Sequence, residues 1–470
     1  MSDEGLRQAR EKMTAAGVDP VAIDVFAHYY RLVESGETGM VPESSIEPLD
    51  MDALADVDVP DEVAAEAIAK TVVIKLNGGL GTSMGMDRAK SLLEVRDGLS
   101  FVDIIVRQVL AQREEYDAPL PLIFMNSFRT SGDTRDALAP YDDLPVDPST
   151  GSGHRGLPLE FLQNKEPKLR VDDLTPVSWE AEPALEWCPP GHGDIYTALR
   201  GTGLLDRLIE AGFTQAFVSN SDNLGAVPEA RVAGWFAQSG APFAIEAVRR
   251  TASDRKGGHF ATRKSDGRIV LRETAQTLAE DQESLADLDR HRFTSTNNLW
   301  FNLTAMRDEL DRRDGILGLA MIKNTKTVDP ADANSPDVIQ IETAMGAAIE
   351  VFDEATTIEV TRERFVPVKT TNDLLVLRSD CYELDDDYVL SLAEGRDGVP
   401  FVDLDGSFYK LVGQFDERFP SGPPSMVDAT SLTVRGDWTF GADVTVRGEG
   451  AVQAEGAPGR LEPGTVIGEG

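Results

Sequence analysis

A glycine-rich segment follows a run of apolar and β-branched residues that begins at Thr71. The segment Leu76 to Thr82 reads Leu-Asn-Gly-Gly-Leu-Gly-Thr, and Lys90 comes shortly after it. Because glycine accepts positive φ and carries no Cβ, such a loop lets backbone N–H groups close around an anion. Lys90 stands where a lysine can reach back to a bound phosphate. The segment predicts a phosphate-binding nest, and a tight structural turn is the alternative.

The loop matches neither of two common phosphate-binding fingerprints. Gly79 and Gly81 are followed by Gly85, one residue too late for the dinucleotide pattern G-x-G-x-x-G. Lys90-Ser91 lacks the glycine that precedes the lysine of a Walker loop. The sequence therefore indicates a different kind of nucleotide or phosphate site.

A second polar cluster, Pro189 to Asp194, contains His192 between two glycines and precedes a helical stretch. A helix N-terminus behind glycines offers N–H donors to an anion, and the imidazole adds a polar group. A structural turn is again the alternative. We expect Asp194 to cap the helix rather than to bind a metal.

A third cluster, Ser219 to Gly225, places Asp222 directly after an apolar strand-like run. In an open α/β sheet, ligands and metals bind outside the carboxyl ends of the strands. A Mg²⁺ ion that is shared with phosphates needs only one or two protein carboxylates. Asp222 is therefore a candidate Mg²⁺ ligand, with an Asx-turn as the alternative.

Two further segments give weaker signals. Phe293 to Trp300 includes Asn297 and Asn298, whose amides suit sugar hydroxyls and equally suit a turn. Lys369 follows a strand-like run, where a lone lysine is usually solvated, so the pattern alone does not single it out.

Covalent catalysis is not indicated. No serine or cysteine stands in a recognisable pairing with a base, and the five histidines have no metal-ligand spacing. These features favour direct displacement at phosphorus with electrostatic assistance.

The composition excludes several classes of partner. The formal net charge is −36, and Lys and Arg form no run along the 470 residues. Nucleic acid and anionic membranes are therefore not expected as partners. Two cysteines are too few for a disulfide framework, the N-terminus resembles no signal peptide, and no apolar run approaches the ~20 residues of a membrane span. We expect a cytoplasmic protein.

The pattern of elements predicts two or three domains. Residues 6–34 have helical periodicity, 35–50 resemble a surface linker, and 61–70 form a short acidic helix. Strand-like runs then alternate with helices up to about residue 380, which predicts an α/β domain with a mostly parallel sheet. The predicted strands are 71–76, 121–125, 215–219 and 243–248, and the predicted helices are 101–115 and 194–211.

After residue 385 short β-branched steps alternate with glycines at a spacing of about six residues, as in the coils of a β-helix. Only about two coils fit, so we expect them to pack on the catalytic domain or on another subunit. The predicted domains are 1–60, 61–385 and 386–470.

Taken in order, nine segments are similar to those of the eukaryotic-type UTP–glucose-1-phosphate uridylyltransferase (UDP-glucose pyrophosphorylase) family. They are LNGGLGTSMGMDRAKS from Leu76, MNSF from Met125, FLQNKEPKL from Phe161, PPGHGD from Pro189, SNSDNLGA from Ser219, KGGHF from Lys256, STNNLWFNL from Ser295, QIETAMGAA from Gln340 and RFVPVKTTNDLLVL from Arg364. Nine segments in one order are a far more specific signal than any one of them.

The resemblance implies a role for each matching residue. The implied nucleotide-binding residues are Leu76, Asn77, Gly78, Gly79, Lys90, Gln163, Gly191 and Asp222. The implied sugar-phosphate-binding residues are His192, Asn220, Asn297, Glu342 and Gly346. Lys90 and Lys369 would be catalytic, and Asp222 would hold Mg²⁺. The implied fold is a Rossmann-like, GT-A-like mixed sheet between a helical N-terminal segment and a C-terminal left-handed parallel β-helix, through which the chain would form a homo-oligomer.

Two segments depart from the family pattern. Arg88-Ala89 stand where family members usually have Gly-Pro before the loop lysine, and Glu166 stands where the family is typically apolar. We expect modest effects on loop stiffness and none on the type of reaction.

The resulting hypothesis is that glucose-1-phosphate attacks the α-phosphorus of UTP in line, with Mg²⁺ assistance, to give UDP-glucose and pyrophosphate. One alternative is a related pyrophosphorylase for another UDP-sugar or for UDP-N-acetylglucosamine. Those relatives resemble Gly-Gly-Gln-Gly-Thr-Arg in the loop, where this chain has Gly-Gly-Leu-Gly-Thr-Ser. The other alternative is a non-catalytic UTP-binding protein.

Overall fold

The computed structural model describes residues 2–37, 39–145, 156–251, 254–255, 257–330, 332–453 and 456–468. The helices are α1 (Ser2–Ala15), α2 (Pro20–Ser35), α3 (Asp61–Ala69), α4 (Phe101–Tyr116), α5 (Ser131–Leu138), α6 (Ile195–Gly201), α7 (Leu204–Glu210), α8 (Ala230–Ser239), α9 (Gln282–Ala286), α10 (Leu303–Arg312), α11 (Thr371–Arg378), α12 (Gly406–Tyr409) and α13 (Val412–Arg418).

The strands are β1 (Ile46–Pro48), β2 (Thr71–Asn77), β3 (Glu94–Arg96), β4 (Leu99–Ser100), β5 (Leu122–Asn126), β6 (Glu160–Leu162), β7 (Glu166–Pro167), β8 (Leu169–Arg170), β9 (Trp187–Cys188), β10 (Gln215–Asn220), β11 (Phe243–Arg249), β12 (His259–Arg263), β13 (Ile269–Arg272), β14 (Phe293–Asn302), β15 (Met321–Thr327), β16 (Asp337–Thr343), β17 (Thr356–Glu359), β18 (Tyr382–Leu384), β19 (Leu390–Leu392), β20 (Phe401–Leu404), β21 (Ser425–Arg435), β22 (Trp438–Phe440), β23 (Thr445–Gln453), β24 (Gly459–Leu461) and β25 (Val466–Ile467).

A seven-stranded mixed sheet in the order β17-β11-β14-β10-β2-β5-β6 forms the centre of the fold. Neighbouring strands are parallel except at β14, which runs antiparallel to both β10 and β11. The strands β2, β5, β10 and β11 agree with the sequence prediction to within a residue or two at each end. The α/β class with a mostly parallel sheet is thereby confirmed.

Helices cover both faces of this sheet, which explains why β2 is apolar at nearly every position. Val73 packs in the core beneath α3, α4, α8 and α11. Val72 and Ile74 face the other way, into the core beneath α6, α7 and α10. Lys75 is the one charged residue of β2, and it is buried as completely as its neighbours.

The N-terminal helices α1 and α2 pack on a smaller sheet of the order β15-β16-β8. The predicted break between these helices is confirmed at Asp19-Pro20. The Asp19 carboxylate accepts a hydrogen bond of 2.8 Å from the Val21 N–H, and proline takes the first helical position.

The C-terminal strands are parallel to one another. β20, β21, β23 and β25 form one sheet, and β22 pairs with β24 in another. Their apolar residues, such as Leu432 and Val446, belong to the same core as the α11 side of the central sheet. The expectation that this region packs on the rest of the chain is therefore confirmed.

The structure corrects two predictions and excludes one alternative. The helix expected over 194–211 is interrupted at Gly203, whose φ of 68° is left-handed, and so forms α6 and α7. The presumed linker 35–50 contributes β1, which pairs with β12 and buries Ile46. Residues Phe293 to Trp300 lie within β14 and do not form a turn.

No helix in the described ranges is long and apolar enough to cross a membrane.

Candidate active site

The carboxyl ends of three adjacent parallel strands meet at one edge of the central sheet. β2 ends at Asn77, β5 at Asn126 and β10 at Asn220, and the register places Asn77 beside Asn126 and Leu76 beside Asn220. Ligands of open α/β sheets bind at this kind of edge. The glycine-rich loop and the Asp222 segment both leave the sheet here, so two of the predicted clusters lie together.

The side chain of Asn77 anchors this edge. Its amide nitrogen donates hydrogen bonds of 2.9 Å to Asn126 Oδ1 and to Thr134 Oγ1, and its Oδ1 accepts one of 3.0 Å from Ser221 Oγ. Both amide hydrogens are thereby used within the protein. What Asn77 can offer a ligand is its main chain.

The glycine-rich loop lies directly against Gln163. A Cβ added to Gly78 would lie 2.4 Å from Gln163 Oε1, so any larger residue there would displace the Gln163 amide. The Gly78 carbonyl accepts a 3.0 Å hydrogen bond from Ser127 Oγ, and the Gly79 carbonyl accepts one of 3.0 Å from the Lys90 N–H. The loop and the segment that carries Lys90 are therefore in contact.

Lys90 and Asp222 form an ion pair at the centre of the site. Lys90 Nζ lies 2.6 Å from Asp222 Oδ2 and also donates to the carbonyl of Val368. The two side chains are 17% and 23% exposed, so the pair is sheltered yet open on one side. The Val368 N–H donates to the Asp222 carbonyl at 3.0 Å. Three predicted segments thus converge, since Lys369 follows Val368.

Lys369 is exposed just before α11. Its N–H donates to the Asp373 carboxylate at 2.8 Å, and the same carboxylate forms a capping box with Thr370. Burial raises the pKa of Glu273, and the nearby ammonium group of Lys369 opposes that rise. The main chain of Lys369 is thus fixed while its side chain faces solvent.

The turn at Gly191 and His192 forms a second wall. Gly191 has a φ of 81°, and a Cβ there would lie 2.5 Å from the Thr343 carbonyl. The Met345 N–H donates to His192 Nδ1 at 3.0 Å, which leaves the Nε2–H as the donor of a neutral imidazole. The residue is exposed, but the atoms packed around its ring disfavour the charged form and lower the pKa of His192 to about 4.

Asn297 and Asn220 meet between these two walls, where the Asn297 amide donates to Asn220 Oδ1 at 3.2 Å. Asn297 has a φ of 61°, at a place where the pairing of β11 with β14 shifts register. A bulge of this kind redirects a side chain out of the sheet. The neighbouring Asn298 is instead buried and donates to Glu246 at 3.0 Å.

Glu342 and Gly346 lie on the Gly191 side of the site. A Cβ on Gly191 would lie 3.1 Å from Glu342 Cβ, and Lys326 Nζ lies 3.6 Å from Glu342 Oε1. A Cβ on Gly346 would lie 2.9 Å from a methyl group of Leu271, so this glycine is needed for packing.

The donor set fits Mg²⁺ that is shared with a substrate. Asp222 supplies one hard carboxylate at the carboxyl end of β10. In the part of the chain that the structure describes, no group of three or more His, Cys, Asp or Glu side chains could hold a metal ion. Mg²⁺ often keeps just one or two carboxylates and takes its other ligands from phosphates and water.

One prediction about this site is wrong. Asp194 does not cap α6, because its own backbone (φ −61°, ψ −13°) is already helical and its side chain makes no bond to the helix. The Asp194 carboxylate instead accepts hydrogen bonds from the N–H and the side-chain amide of Asn164, at 2.6 and 2.9 Å.

The sequence patterns also missed two buried residues that support the site. Lys75 Nζ donates to Ser219 Oγ at 2.8 Å and to the Ala226 carbonyl at 2.7 Å, which joins both ends of the Asp222 segment. Burial lowers the pKa of Lys75 to about 7. Glu246 is the other, and it binds Arg364 through two hydrogen bonds of 2.6 and 2.7 Å. A single charge inside an apolar run is the signal that marks both Lys75 and Glu246. Lys256 of the KGGHF segment lies outside the described residues.

Comparison with known proteins gives a consistent result. Residues 23–447 match the family described as UTP–glucose-1-phosphate uridylyltransferase. The enzyme of that name from Hordeum vulgare is 35% identical over 462 residues, which cover 96% of this chain and 92% of the relative. The one from Saccharomyces cerevisiae is 38% identical over 422 residues, which cover 87% of this chain and 81% of the relative.

Solved structures agree with the sequence relatives. UDP-glucose phosphorylase from Trypanosoma brucei has a TM-score of 0.90 at 42% identity, and the match covers 99% of this chain and 98% of the other. A variant of UDP-glucose pyrophosphorylase from Leishmania major, solved in complex with UDP-glucose, has a TM-score of 0.90 at 39% identity with 98% of each chain covered. The order of the segments, the shared edge of the sheet and these matches lead to one conclusion: this chain belongs to the UTP–glucose-1-phosphate uridylyltransferase family.

Proposed function

We propose that the protein transfers the uridylyl group of UTP to glucose-1-phosphate and releases pyrophosphate, in a reversible reaction that forms UDP-glucose. The convergence of Lys90, Asp222 and the Lys369 segment at one edge of the sheet is the observation that carries this proposal. It supplies one cation paired with a carboxylate that suits a metal, and it brings the chain that carries a second lysine to the same edge, as displacement at a phosphate requires.

The uridine of UTP is held by Leu76 to Gly79, Gln163 and Gly191. The close approach of Gly78 and Gln163 supports this assignment, because it places an amide side chain beside the main chain of the loop. A side-chain amide can donate to and accept from the edge of a uracil ring. Lys90, at the end of the same loop, faces the triphosphate.

The reaction needs no general base. A phosphate monoester has a second pKa of about 6, so an oxygen of glucose-1-phosphate is already ionised at neutral pH. That oxygen forms a bond to the α-phosphorus of UTP, and the bond from the α-phosphorus to the bridging oxygen of pyrophosphate breaks. Lys90 and Lys369 stabilise the charge on the α-phosphate and on the leaving group.

Asp222 is the residue that would hold Mg²⁺, with Asn220 beside it at the end of β10. When bound, the ion supplies positive charge to the phosphates. Lys90 is 2.6 Å from the same carboxylate, so a cation on Asp222 leaves the lysine ammonium available to the triphosphate.

The sugar phosphate binds on the opposite side of the α-phosphate. His192 donates its Nε2–H to the phosphate of the sugar, a role that its neutral ring supports. Asn220, Asn297, Glu342 and Gly346 surround the sugar hydroxyls. The hydrogen bond of 3.2 Å between Asn297 and Asn220 supports this assignment, because it joins the sugar side to the nucleotide side.

We also propose the finer description of the fold. The central sheet is a Rossmann-like, GT-A-like nucleotidyltransferase domain over 61–385, preceded by a helical segment over 1–60. Residues 386–470 include a short left-handed β-helix. The parallel pairs Leu432 with Gly450 and Thr445 with Val466 support the β-helix, because coils of about three six-residue steps would give such spacings.

The exposed side chain of Val466 on the last strand marks an edge through which two copies could pair, and we propose a homo-oligomer there. Cys188 and Cys381 are free and buried, which supports a reducing compartment, and we propose the cytoplasm.

The experiment is steady-state pyrophosphate release with UTP, Mg²⁺ and separate sugar-1-phosphates. The expected result is that kcat/KM is highest with glucose-1-phosphate, followed by galactose-1-phosphate and N-acetylglucosamine-1-phosphate. A higher kcat/KM with N-acetylglucosamine-1-phosphate would show that glucose is not the preferred sugar. Tight UTP binding with no pyrophosphate release from any sugar would identify a non-catalytic UTP-binding protein instead.

A further inference from the structure

Asp194 joins two separate segments beneath the proposed uracil site. Its carboxylate accepts a 2.6 Å hydrogen bond from the Asn164 N–H and a 2.9 Å bond from the Asn164 side-chain amide. Asp194 is only 5% exposed, so water does not compete for these bonds. Hydrogen bonds to a shielded carboxylate are among the strongest that a protein makes.

On one side, Asp194 belongs to a turn that packs closely against Thr343. A Cβ on Gly191 would lie 2.5 Å from the Thr343 carbonyl, and one on Gly193 would lie 2.3 Å from Thr343 Oγ1. The Thr343 N–H donates to the Pro190 carbonyl at 2.9 Å. The turn therefore packs tightly against the end of β16, which holds Asp194 in place.

On the other side, Asn164 directly follows Gln163. The Gln163 N–H donates to the Asn126 carbonyl at 2.8 Å, and the Gln163 side chain lies against Gly78. The main chain of Gln163 is thus held by Asn126 at the end of β5, and the main chain of the next residue, Asn164, is held by Asp194. An amide distinguishes uracil from cytosine only if its oxygen and nitrogen cannot exchange places, because the two bases reverse donor and acceptor at one edge.

We infer that Asp194 is a positioning residue that fixes the Gln163 segment against the Gly191 turn and so sets the selectivity for the uracil base. This inference rests on the proposed function, in which Gln163 and Gly191 read uracil. It gives Asp194 no contact with the nucleotide. Its effect is on the binding and choice of base, and the chemistry at the α-phosphorus is left to Lys90, Asp222 and Lys369.

Two substitutions at this position separate geometry from charge. Asp194→Ala removes both acceptors. Asp194→Asn can restore both bonds, because its Oδ1 accepts from the Asn164 N–H while its amide donates to Asn164 Oδ1 once that side chain turns over. We expect Asp194→Ala to raise KM for UTP about tenfold, with kcat within about threefold, because a displaced Gln163 loses about one hydrogen bond to the base. Asp194→Asn should stay within about threefold of wild type in KM.

The test measures kcat and KM with UTP and with CTP, and UTP affinity by calorimetry without sugar. Leu199→Ala, in the fully buried part of α6, is the control for lost stability. The expected result is a preference for UTP over CTP that falls about tenfold in Asp194→Ala only. Unchanged KM, affinity and preference in Asp194→Ala would overturn the inference, and so would an equal effect of Leu199→Ala. If wild type binds UTP but releases no pyrophosphate, the proposed function fails while calorimetry still decides the role of Asp194.

Discussion

Lys90 Nζ lies 2.6 Å from Asp222 Oδ2, although the two residues come from separate segments of the chain. The sequence suggested a phosphate-binding lysine and a metal-binding carboxylate independently. Their ion pair, with Val368 as a third partner, places both functions at one point on the carboxyl edge of the sheet.

Substitution of Asp222 by Asn should remove the proposed metal ligand and keep the size of the side chain. We expect kcat to fall by about 10²–10³-fold, the usual effect of losing one group that stabilises transition-state charge. Because the pair is partly exposed, the free energy of unfolding should change by about 1 kcal/mol or less. The measurement is kcat against Mg²⁺ concentration. Asp416→Asn, which breaks the exposed pair with Arg378, should leave kcat unchanged.

Lys369→Ala should separate catalysis from folding even more clearly. The side chain is exposed, so the melting temperature should stay close to wild type, while kcat falls by about 10²-fold or more. Lys70→Ala is the matched control, since Lys70 precedes β2 at the opposite edge of the sheet and pairs with Glu66 on the surface. Near-normal turnover of Lys369→Ala would remove this residue from the mechanism.

How much of this site follows from sequence depends on the range of the contact. The strands β2, β5 and β10 were predictable because apolar runs bounded by glycine or asparagine are local patterns. The bond between Asp194 and Asn164 was not, because it spans 30 positions and replaces a local capping role. The position of Lys369 was equally hidden, since contacts of the preceding Val368 with Asp222 and Lys90, far away in sequence, bring it to the site.

The fold likewise divides into features that local sequence patterns predict and contacts between distant residues that they do not. The break between α1 and α2 follows from Asp19-Pro20, a local signal. The pairing of β1 with β12 joins Ile46 to Arg263, and nothing in the polar composition of 35–50 indicates a partner so far along the chain. The split between α6 and α7 occurs at Gly203, and the helical pattern on both sides of this glycine does not reveal it.

Gly78→Ala tests the contact between the glycine-rich loop and Gln163. The new Cβ would lie 2.4 Å from Gln163 Oε1, so the amide must move. We expect KM for UTP to rise about tenfold, because a displaced hydrogen-bonding group costs on the order of 1–2 kcal/mol. Gly132→Ala on α5, where an added Cβ meets no atom within 4 Å, is the control. Equal KM values in the two variants would argue against the contact.

Glu246 should be a main determinant of stability. It is fully buried, binds Arg364 through two hydrogen bonds and accepts two more, of 2.9 Å from Trp300 Nε1 and 3.0 Å from the Asn298 amide. Glu246→Ala leaves the Arg364 charge buried, so we expect a loss of about 3–5 kcal/mol in chemical unfolding. Glu229 is the other carboxylate that pairs with Arg364, and its side chain is 42% exposed. Glu229→Ala should therefore lower the free energy of unfolding by about 1 kcal/mol or less. Similar losses from both variants would contradict this ranking.

The stability of the protein should depend on the ionisation of Asp194. Burial raises the pKa of Asp194 to about 7, against 3.8 ordinarily, and the bonds from Asn164 oppose this rise. The folded state therefore binds the proton more tightly, so this group's contribution to stability is full below pH 4 and is lost as pH rises towards 7. We expect the stability of Asp194→Asn relative to wild type to increase between pH 4 and pH 8, by up to about 4 kcal/mol. The measurement is the free energy of chemical unfolding of wild type and Asp194→Asn at pH 4 and pH 8. The same change with pH in both proteins would refute the prediction.

The central claim is that this edge of the sheet joins UTP to glucose-1-phosphate. The most direct measurement is pyrophosphate release by the wild-type protein with UTP, Mg²⁺ and glucose-1-phosphate, with UDP-glucose identified as the other product. We expect equal amounts of the two products and no release when the sugar phosphate or Mg²⁺ is left out. Absence of UDP-glucose under saturating UTP and glucose-1-phosphate would contradict the claim.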